Sequence, residues 1–360
     1  MDIGIFGLSQ CGKTTMFSLL TGVDRENDVH RNDSFSGIAK IHDKRVLELS
    51  KIFNPKKTIF ANLNFIDIPA FDLLLSNKEK NKIFQFIQNS DAILIILRGF
   101  LDESVAWPDG TSDVMDQFEM IKSEFLIRDI EVVENRLSRL EETKKKKKLS
   151  KEEEREEELL LEISKGFENE RYISQMELEK KDLKSLGSLA LFTAKPMVVA
   201  VNLDEEGFTN NNYAKRDQLV KVVKDNGFSF IEICGKMEKE ISNLEDEDKK
   251  MFMDDLGISE TGIERLSKVV YEHIGLISFL TVGEDEVRAW TIEKNITAKE
   301  AAGKIHSDLA KHFIKAEKIP YEEFMEYKSM AEAKKEGAIK IVGKDEIVYD
   351  GDILHIRANV

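Results

Sequence analysis

Gly7-Leu8-Ser9-Gln10-Cys11-Gly12-Lys13-Thr14, followed by Thr15, is the stretch from which the fold of this chain is read. It satisfies the pattern G-x-x-x-x-G-K-[ST]. It also stands between a short apolar run, Ile3 to Phe6, and a stretch from Thr14 to Leu20 that reads as a helix. Strand, glycine loop and helix is the order that phosphate binding requires. Gly7 and Gly12 let backbone N–H groups turn inward on the phosphates, Lys13 reaches the β and γ oxygens as the catalytic cation, and the Thr14 hydroxyl is placed to ligate Mg²⁺.

Outward from this loop, short apolar runs recur at Ala61 to Asp67, Ala92 to Leu97, Met197 to Asn202 and Phe228 to Ile233. The gaps between them are long enough for crossover helices, so an α/β domain with a mainly parallel sheet is expected. Between the third and fourth runs of the whole series lie about a hundred residues, more than a crossover needs, and these read as an insertion. Within the insertion Leu126, Ile130, Val133, Leu137 and Leu140 form one helical seam, and Leu160, Ile163 and Phe167 form another. They flank Lys144 to Lys148 and the acid-rich run Glu152 to Glu158, so an antiparallel hairpin with a charged tip is expected. From about Ser278 the chain reads as a compact α+β module. Thr297-Ala298-Lys299-Glu300 is a capping box, Ala302, Ile305, Leu309 and Phe313 are the stripe of one helix behind it, and Asp350-Gly351 marks a turn.

The 360 residues exceed what one core supports, and two or three domains follow. A net charge of −15 excludes general attraction to nucleic acid or to an anionic membrane, so any RNA contact must be local. Cys11 and Cys234 are too few for a disulfide framework, no basic-then-apolar leader opens the chain, and no run reaches the length of a membrane span. A cytoplasmic protein without a membrane partner or DNA sequence specificity is expected. The six histidines, at 30, 42, 273, 306, 312 and 355, lack metal-ligand spacing.

A phosphate loop of this kind needs a carboxylate at the end of a neighbouring strand for the metal shell. Asp67 in Asn64-Phe65-Ile66-Asp67-Ile68-Pro69-Ala70 has that place. Asn202 ends another strand and opens Asn202-Leu203-Asp204-Glu205. Guanine readers have N-K-x-D here, because aspartate accepts both the ring N–H and the exocyclic amine of guanine. Glu205 moves the carboxylate by a methylene and Leu203 replaces the lysine that packs on the base, so the fit to guanine weakens. Asp204, one position early, keeps a GTP reading open.

These motifs resemble the YchF family of Obg-related P-loop NTPases, which carry an N-x-x-E base motif, a helical insertion and a C-terminal TGS domain. Ser90-Asp91-Ala92-Ile93, Leu191-Phe192-Thr193-Ala194-Lys195-Pro196, Val287-Arg288-Ala289-Trp290-Thr291 and Asp350-Gly351-Asp352 leading to Arg357-Ala358-Asn359-Val360 are similar to family segments, so the likeness runs over nearly the whole length. It implies a P-loop NTPase domain over 1–110 and 190–277, a helical coiled-coil insertion over 111–189, and a β-grasp TGS domain over 278–360. It also implies hydrolysis of the β-γ phosphoanhydride with ATP preferred, Mg²⁺ dependence, and ribosome or ribosomal RNA contact through the TGS domain and helical arm. Cys234-Gly235-Lys236 resembles the element that supports the base.

Three departures qualify these implications. The family's loop asparagine, associated with K⁺ in related enzymes, is Gln10, which weakens the expectation of K⁺. The switch glycine of D-x-A-G is replaced by Ala70 behind a stiff Pro69. The Arg31 to Gly37 stretch supplies only Ser34 and Ser36 for the switch threonine. Phe71 is no departure, since the resemblance implies a hydrophobic residue there, but it stands where a water-orienting glutamine is found in many GTPases, so slow unassisted turnover is expected. The rivals to a slow ATP switch are a GTP-specific translation-factor GTPase and a binding module with decayed hydrolysis.

Overall fold

Runs of apolar residues alternate with amphipathic stretches and give, in chain order, β1 (Asp2–Phe6), α1 (Lys13–Thr21), β2 (Phe35–Ile41), α2 (Lys44–Phe53), β3 (Lys57–Ile59), β4 (Ala61–Asp67), α3 (Asn77–Gln88) and β5 (Ala92–Arg98). Next come α4 (Val114–Lys146), α5 (Lys151–Glu168), α6 (Lys180–Ser185), β6 (Met197–Asn202), α7 (Glu205–Asn210), α8 (Arg216–Asp225), β7 (Ser229–Ile233), α9 (Gly235–Ser242), α10 (Asp246–Asp255) and α11 (Gly262–His273). The chain closes with β8 (Leu276–Thr281), β9 (Glu286–Glu293), α12 (Ala298–Ile305), α13 (Ser307–Lys311), β10 (Phe313–Pro320), α14 (Tyr321–Tyr327), α15 (Met330–Lys335), β11 (Lys340–Val342) and β12 (Asp352–Ala358). The computed structural model describes residues 1–25, 33–255 and 258–359; His30, Arg31 and Val360, named above, lie outside them.

The contacts divide the chain into two units, 1–37 with 64–269, and 38–63 with 270–360. In the first, the strand order is β2-β4-β1-β5-β6-β7, and β1–β4, β1–β5, β5–β6 and β6–β7 all pair in parallel. β5 and β6 are buried at every residue, as strands covered by helices on both faces must be, which is why they read as unbroken apolar runs. The expected order of strand, glycine loop and helix places the loop at the C-terminal end of β1.

The insertion is a long helix, α4, antiparallel to α5 in sequence direction and packed against it by the expected seams: Leu126, Val133 and Leu140 are buried, as are Leu160, Ile163 and Phe167. Asp113 caps α4 by accepting from the N–H groups of Met115 and Asp116, and Ser150 with Glu153 closes a capping box on α5. Opposite charges pair across the hairpin, Lys144 of the basic run with Glu157 of the acidic run at 2.6 Å and, further down α4, Arg136 with Glu156 at 2.7 Å. Pairing of this kind consumes much of the charge of the arm internally. No helix among the described residues is long and apolar enough to cross a membrane.

The second unit is a mixed sheet in the order β11-β10-β12-β8-β9-β3, with β12 and β8 parallel and β8–β9 and β10–β12 antiparallel. Ala298 and Ala301 of α12 pack with Ile277, Phe279, Ile292 and Leu354 in its core, a β-grasp arrangement. Two findings depart from the sequence reading. Residues 38–63, read as part of the 1–110 domain, fold with this unit: β3 pairs in parallel with β9, Arg45 meets Asp350 at 2.7 Å, and Phe53 stacks on Phe324 with centroids 5.6 Å apart. A three-residue strand completed by a distant partner leaves no periodic signal of its own. The single helix expected through Phe313 is also corrected. His306 is extended (φ −161°), ends α12, and its ring nitrogen accepts from the Asp308 N–H to start α13, while Phe313 begins β10.

Candidate nucleotide-binding site

α1 begins on Gly12, which is left-handed at φ 94° and offers no side-chain cap, so the N–H groups of the first turn are left for a ligand. A Cβ on Gly12 would lie 2.3 Å from the amide nitrogen of Asn202, and one on Gly7 would lie 2.5 Å from the Ile96 carbonyl oxygen. Both glycines are therefore demanded by close approach, and Gly12 by conformation as well. Gln10 is also left-handed, at φ 59°.

Lys13 is buried and its ammonium donates to the Leu8 carbonyl at 2.9 Å. The Thr14 hydroxyl lies 3.2 Å from Oδ2 of Asp67, so the two expected metal ligands meet at one point. Together with Ser9, Gln10, Pro69 and Ala70 they line a cavity of about 590 Å³. Burial pushes the Asp67 carboxyl upward, against the downward pull of Lys13 and then Arg25. Ser34 and Ser36 do not line this cavity, whereas Asp33 does. Phe71 is fully buried, its ring 5.8 Å from Phe6 and 5.6 Å from Phe84, and its N–H donates to the Gly7 carbonyl. It is a core residue that supports the loop from beneath.

A second cavity, of about 1040 Å³, adjoins Gly12 and Thr15 and includes Asn202, Leu203, Glu205, Gly235 and Lys236. Asn202 is buried and works as a clamp: its amide nitrogen donates to the Cys11 carbonyl at 3.2 Å, and its amide oxygen accepts from the Gly235 N–H at 3.0 Å. The phosphate loop and the segment after β7 are thus held by one side chain. Leu203 is buried beneath Gly99, where a Cβ would come within 2.6 Å of its Cδ2. Glu205 and Lys236, both largely exposed, pair at 2.9 Å. Asp204 is already engaged, because its carboxylate caps α7 through the Gly207 N–H at 2.8 Å and accepts from the Leu101 N–H at 3.0 Å. Cys11 and Cys234 are buried thiols, and burial pushes both upward, away from thiolate reactivity.

Two arginines escaped the sequence reading. Arg98 ends β5 almost wholly buried, donates to the carbonyls of Phe100, Asp102, Val105 and Ala106, and is covered by the rings of Phe100 and Trp107 at 4.5 and 4.7 Å. It shapes the loop that walls the larger cavity. The available signal was a charge closing an otherwise apolar run just before Gly99. Arg25 donates to Oδ2 of Asp67 at 2.9 Å, and nothing in its local sequence marks it.

A phosphate loop between β1 and α1, a carboxylate at the end of β4 and a base-side loop after β6 on a parallel sheet define a P-loop nucleotide-binding protein. The chain is 36% identical over 369 residues to the "Ribosome-binding ATPase YchF" of Bacillus subtilis (strain 168), with 100% of both proteins covered. It is 34% identical over 365 residues to the protein of the same name from Haemophilus influenzae, with 99% of each covered. Residues 276–359 match the family model YchF-GTPase_C, described as "Protein of unknown function (DUF933)". The fold superposes on the Schizosaccharomyces pombe YchF GTPase with a TM-score of 0.86 at 25% identity, covering 99% of this chain and 97% of that one. The chain belongs to the YchF family.

Proposed function

We propose that this protein is a Mg²⁺-dependent triphosphatase that prefers ATP, turns over slowly when unassisted, and acts as a nucleotide switch on the ribosome. The observation that carries the reading is the convergence of Lys13, Thr14 and Asp67 on one cavity beside a base-side loop that lacks a free aspartate. Oxygen ligands at about 2.1 Å in an octahedral shell stand about 3 Å apart, so the 3.2 Å between Thr14 Oγ1 and Asp67 Oδ2 suits a hard divalent ion. Bound there, Mg²⁺ would neutralise phosphate charge. Lys13 would hold the β and γ oxygens, and the loop N–H groups would orient the chain of phosphates.

Asp204 cannot turn to a guanine without releasing the α7 cap and Leu101, which supports Glu205 as the base-facing acid and ATP as the preferred ligand. Competition of ATP and GTP for one site should favour ATP, and Glu205→Asp combined with Leu203→Lys should recover part of the GTP affinity. A parent protein preferring GTP by tenfold, about 1.4 kcal/mol, would instead establish the GTPase reading.

Ribosome association is supported by the relatives' names, and the second unit is its expected carrier. Net charge does not explain it, since residues 276–360 hold 13 Lys/Arg against 16 Asp/Glu. Arg288 lies over the Trp290 ring at 3.7 Å, a planar cation on an aromatic platform suited to RNA. Deleting 278–360 would strand the partners of Arg45 and Phe53, so charge reversal is the cleaner test. Arg288→Glu with Lys299→Glu should lower co-sedimentation with ribosomes at least about tenfold, leave ATP affinity within about threefold, and flatten the salt dependence. Unchanged co-sedimentation would move the contact to the helical arm. Single-turnover hydrolysis with and without ribosomes distinguishes a slow switch from a decayed site.

A further inference from the structure

Arg25 and Thr14 hold the same oxygen of the same buried acid. The Arg25 guanidinium lies 2.9 Å from Asp67 Oδ2 and the Thr14 hydroxyl 3.2 Å from it, with the Arg25 and Asp67 side chains only 7% and 6% exposed. The guanidinium is also seated 4.8 Å from the centroid of the Phe35 ring, which in turn stands edge-on to Phe17 of α1 with centroids 6.1 Å apart. An aromatic ring and a carboxylate thus fix its place in the wall of the phosphate cavity.

We propose that Arg25 is the resident counter-ion of Asp67 in the nucleotide-free protein and must leave this carboxylate when a divalent cation enters with the triphosphate, so that Arg25 sets how much metal the site requires. The inference rests on the metal-triphosphate reading above. A carboxylate buried to this degree is tolerated in its charged form only beside a cation. Lys13 pulls on the same carboxylate through space while its ammonium donates to the Leu8 carbonyl, but it is Arg25 that touches the acid and occupies the oxygen. A divalent ion ligated through Thr14 and Asp67 would need the oxygen that the guanidinium holds, and two cations crowded on one carboxylate away from water repel strongly. The metal and Arg25 therefore compete. Arg25 is a positioning residue that acts through Asp67.

The test is equilibrium binding of a fluorescent ATP analogue to the full chain while free Mg²⁺ is titrated. In Arg25→Ala and Arg25→Gln, the Mg²⁺ concentration giving half of the metal-dependent gain in affinity should fall at least about tenfold, the scale of a lost charge-assisted contact. Arg25→Lys, which keeps the charge, should stay within about threefold of the parent. Glutamine retains a donor for Asp67 and guards against an alanine variant that does not fold. A folded Arg25→Gln protein with the parent's Mg²⁺ midpoint would reduce Arg25 to a structural ion pair and overturn the inference, even if its thermal stability had dropped. A parent protein that binds no ATP analogue with or without Mg²⁺ would remove the metal-triphosphate reading and the inference with it, a result distinct from the former because there the parent binds.

Discussion

Lys13→Ala lowers the affinity for ATP by at least ~2 kcal/mol, about thirtyfold, in a binding titration on the purified protein. Lys13 is the one side-chain cation in the loop Gly7 to Thr14, and it is buried with its ammonium on the Leu8 carbonyl, where a bound polyanion would draw it across a short distance. Loss of this charge acts twice. The triphosphate loses its direct partner, and the Asp67 carboxyl, which Lys13 pulls down against burial, rises further and becomes a poorer metal ligand. The Mg²⁺-dependent part of the affinity should therefore shrink more than the metal-free part. Binding equal to that of the parent would show that the loop does not hold the phosphates.

Gly12→Val should reduce triphosphate binding more severely still, by on the order of 3 kcal/mol or beyond detection. Its left-handed backbone, φ 94°, costs a β-branched residue about 1–3 kcal/mol. The added side chain must also displace the amide of Asn202, which a Cβ would approach to 2.3 Å. That amide holds the Cys11 carbonyl and the Gly235 N–H, so the phosphate loop and the base-side loop would part together. Asn202→Ala, which removes the clamp without the backbone strain, should give a smaller loss of the same kind. Thermal melting of both variants separates loss of the site from loss of the fold, and a Gly12→Val protein that binds ATP normally would contradict the close approach on which this rests.

The positions of the candidate site residues were legible in the sequence wherever a local motif carries its own chemistry. Gly7 to Thr14 could be placed because the pattern specifies both composition and its position between strand and helix, and Asp67, Asn202 and Glu205 because each follows an apolar run that ends at the same edge of a parallel sheet. The roles of Asp204 and Phe71 were not legible. One is consumed by an N–H from Leu101, distant in sequence, and the other is turned into a cluster with Phe6 and Phe84. A pattern records which residue stands at a position and leaves open which way its side chain faces.

What the sequence determined by itself was the class of the fold, the phosphate loop, the helical arm and the existence of a closing β-grasp module. Each of these rests on periodicity or on contacts between residues near in the chain, where burial on one face repeats at a fixed interval. Only the tertiary structure decided that residues 38–63 fold with the C-terminal unit, that α12 breaks at His306, that Asn202 clamps two loops, and that Arg25 rests on Asp67. These contacts join residues 33 to 305 positions apart or depend on a single backbone angle. They form because a buried polar group must find a partner, or a sheet edge must be closed, against a residue distant in the chain, which no short window of sequence contains.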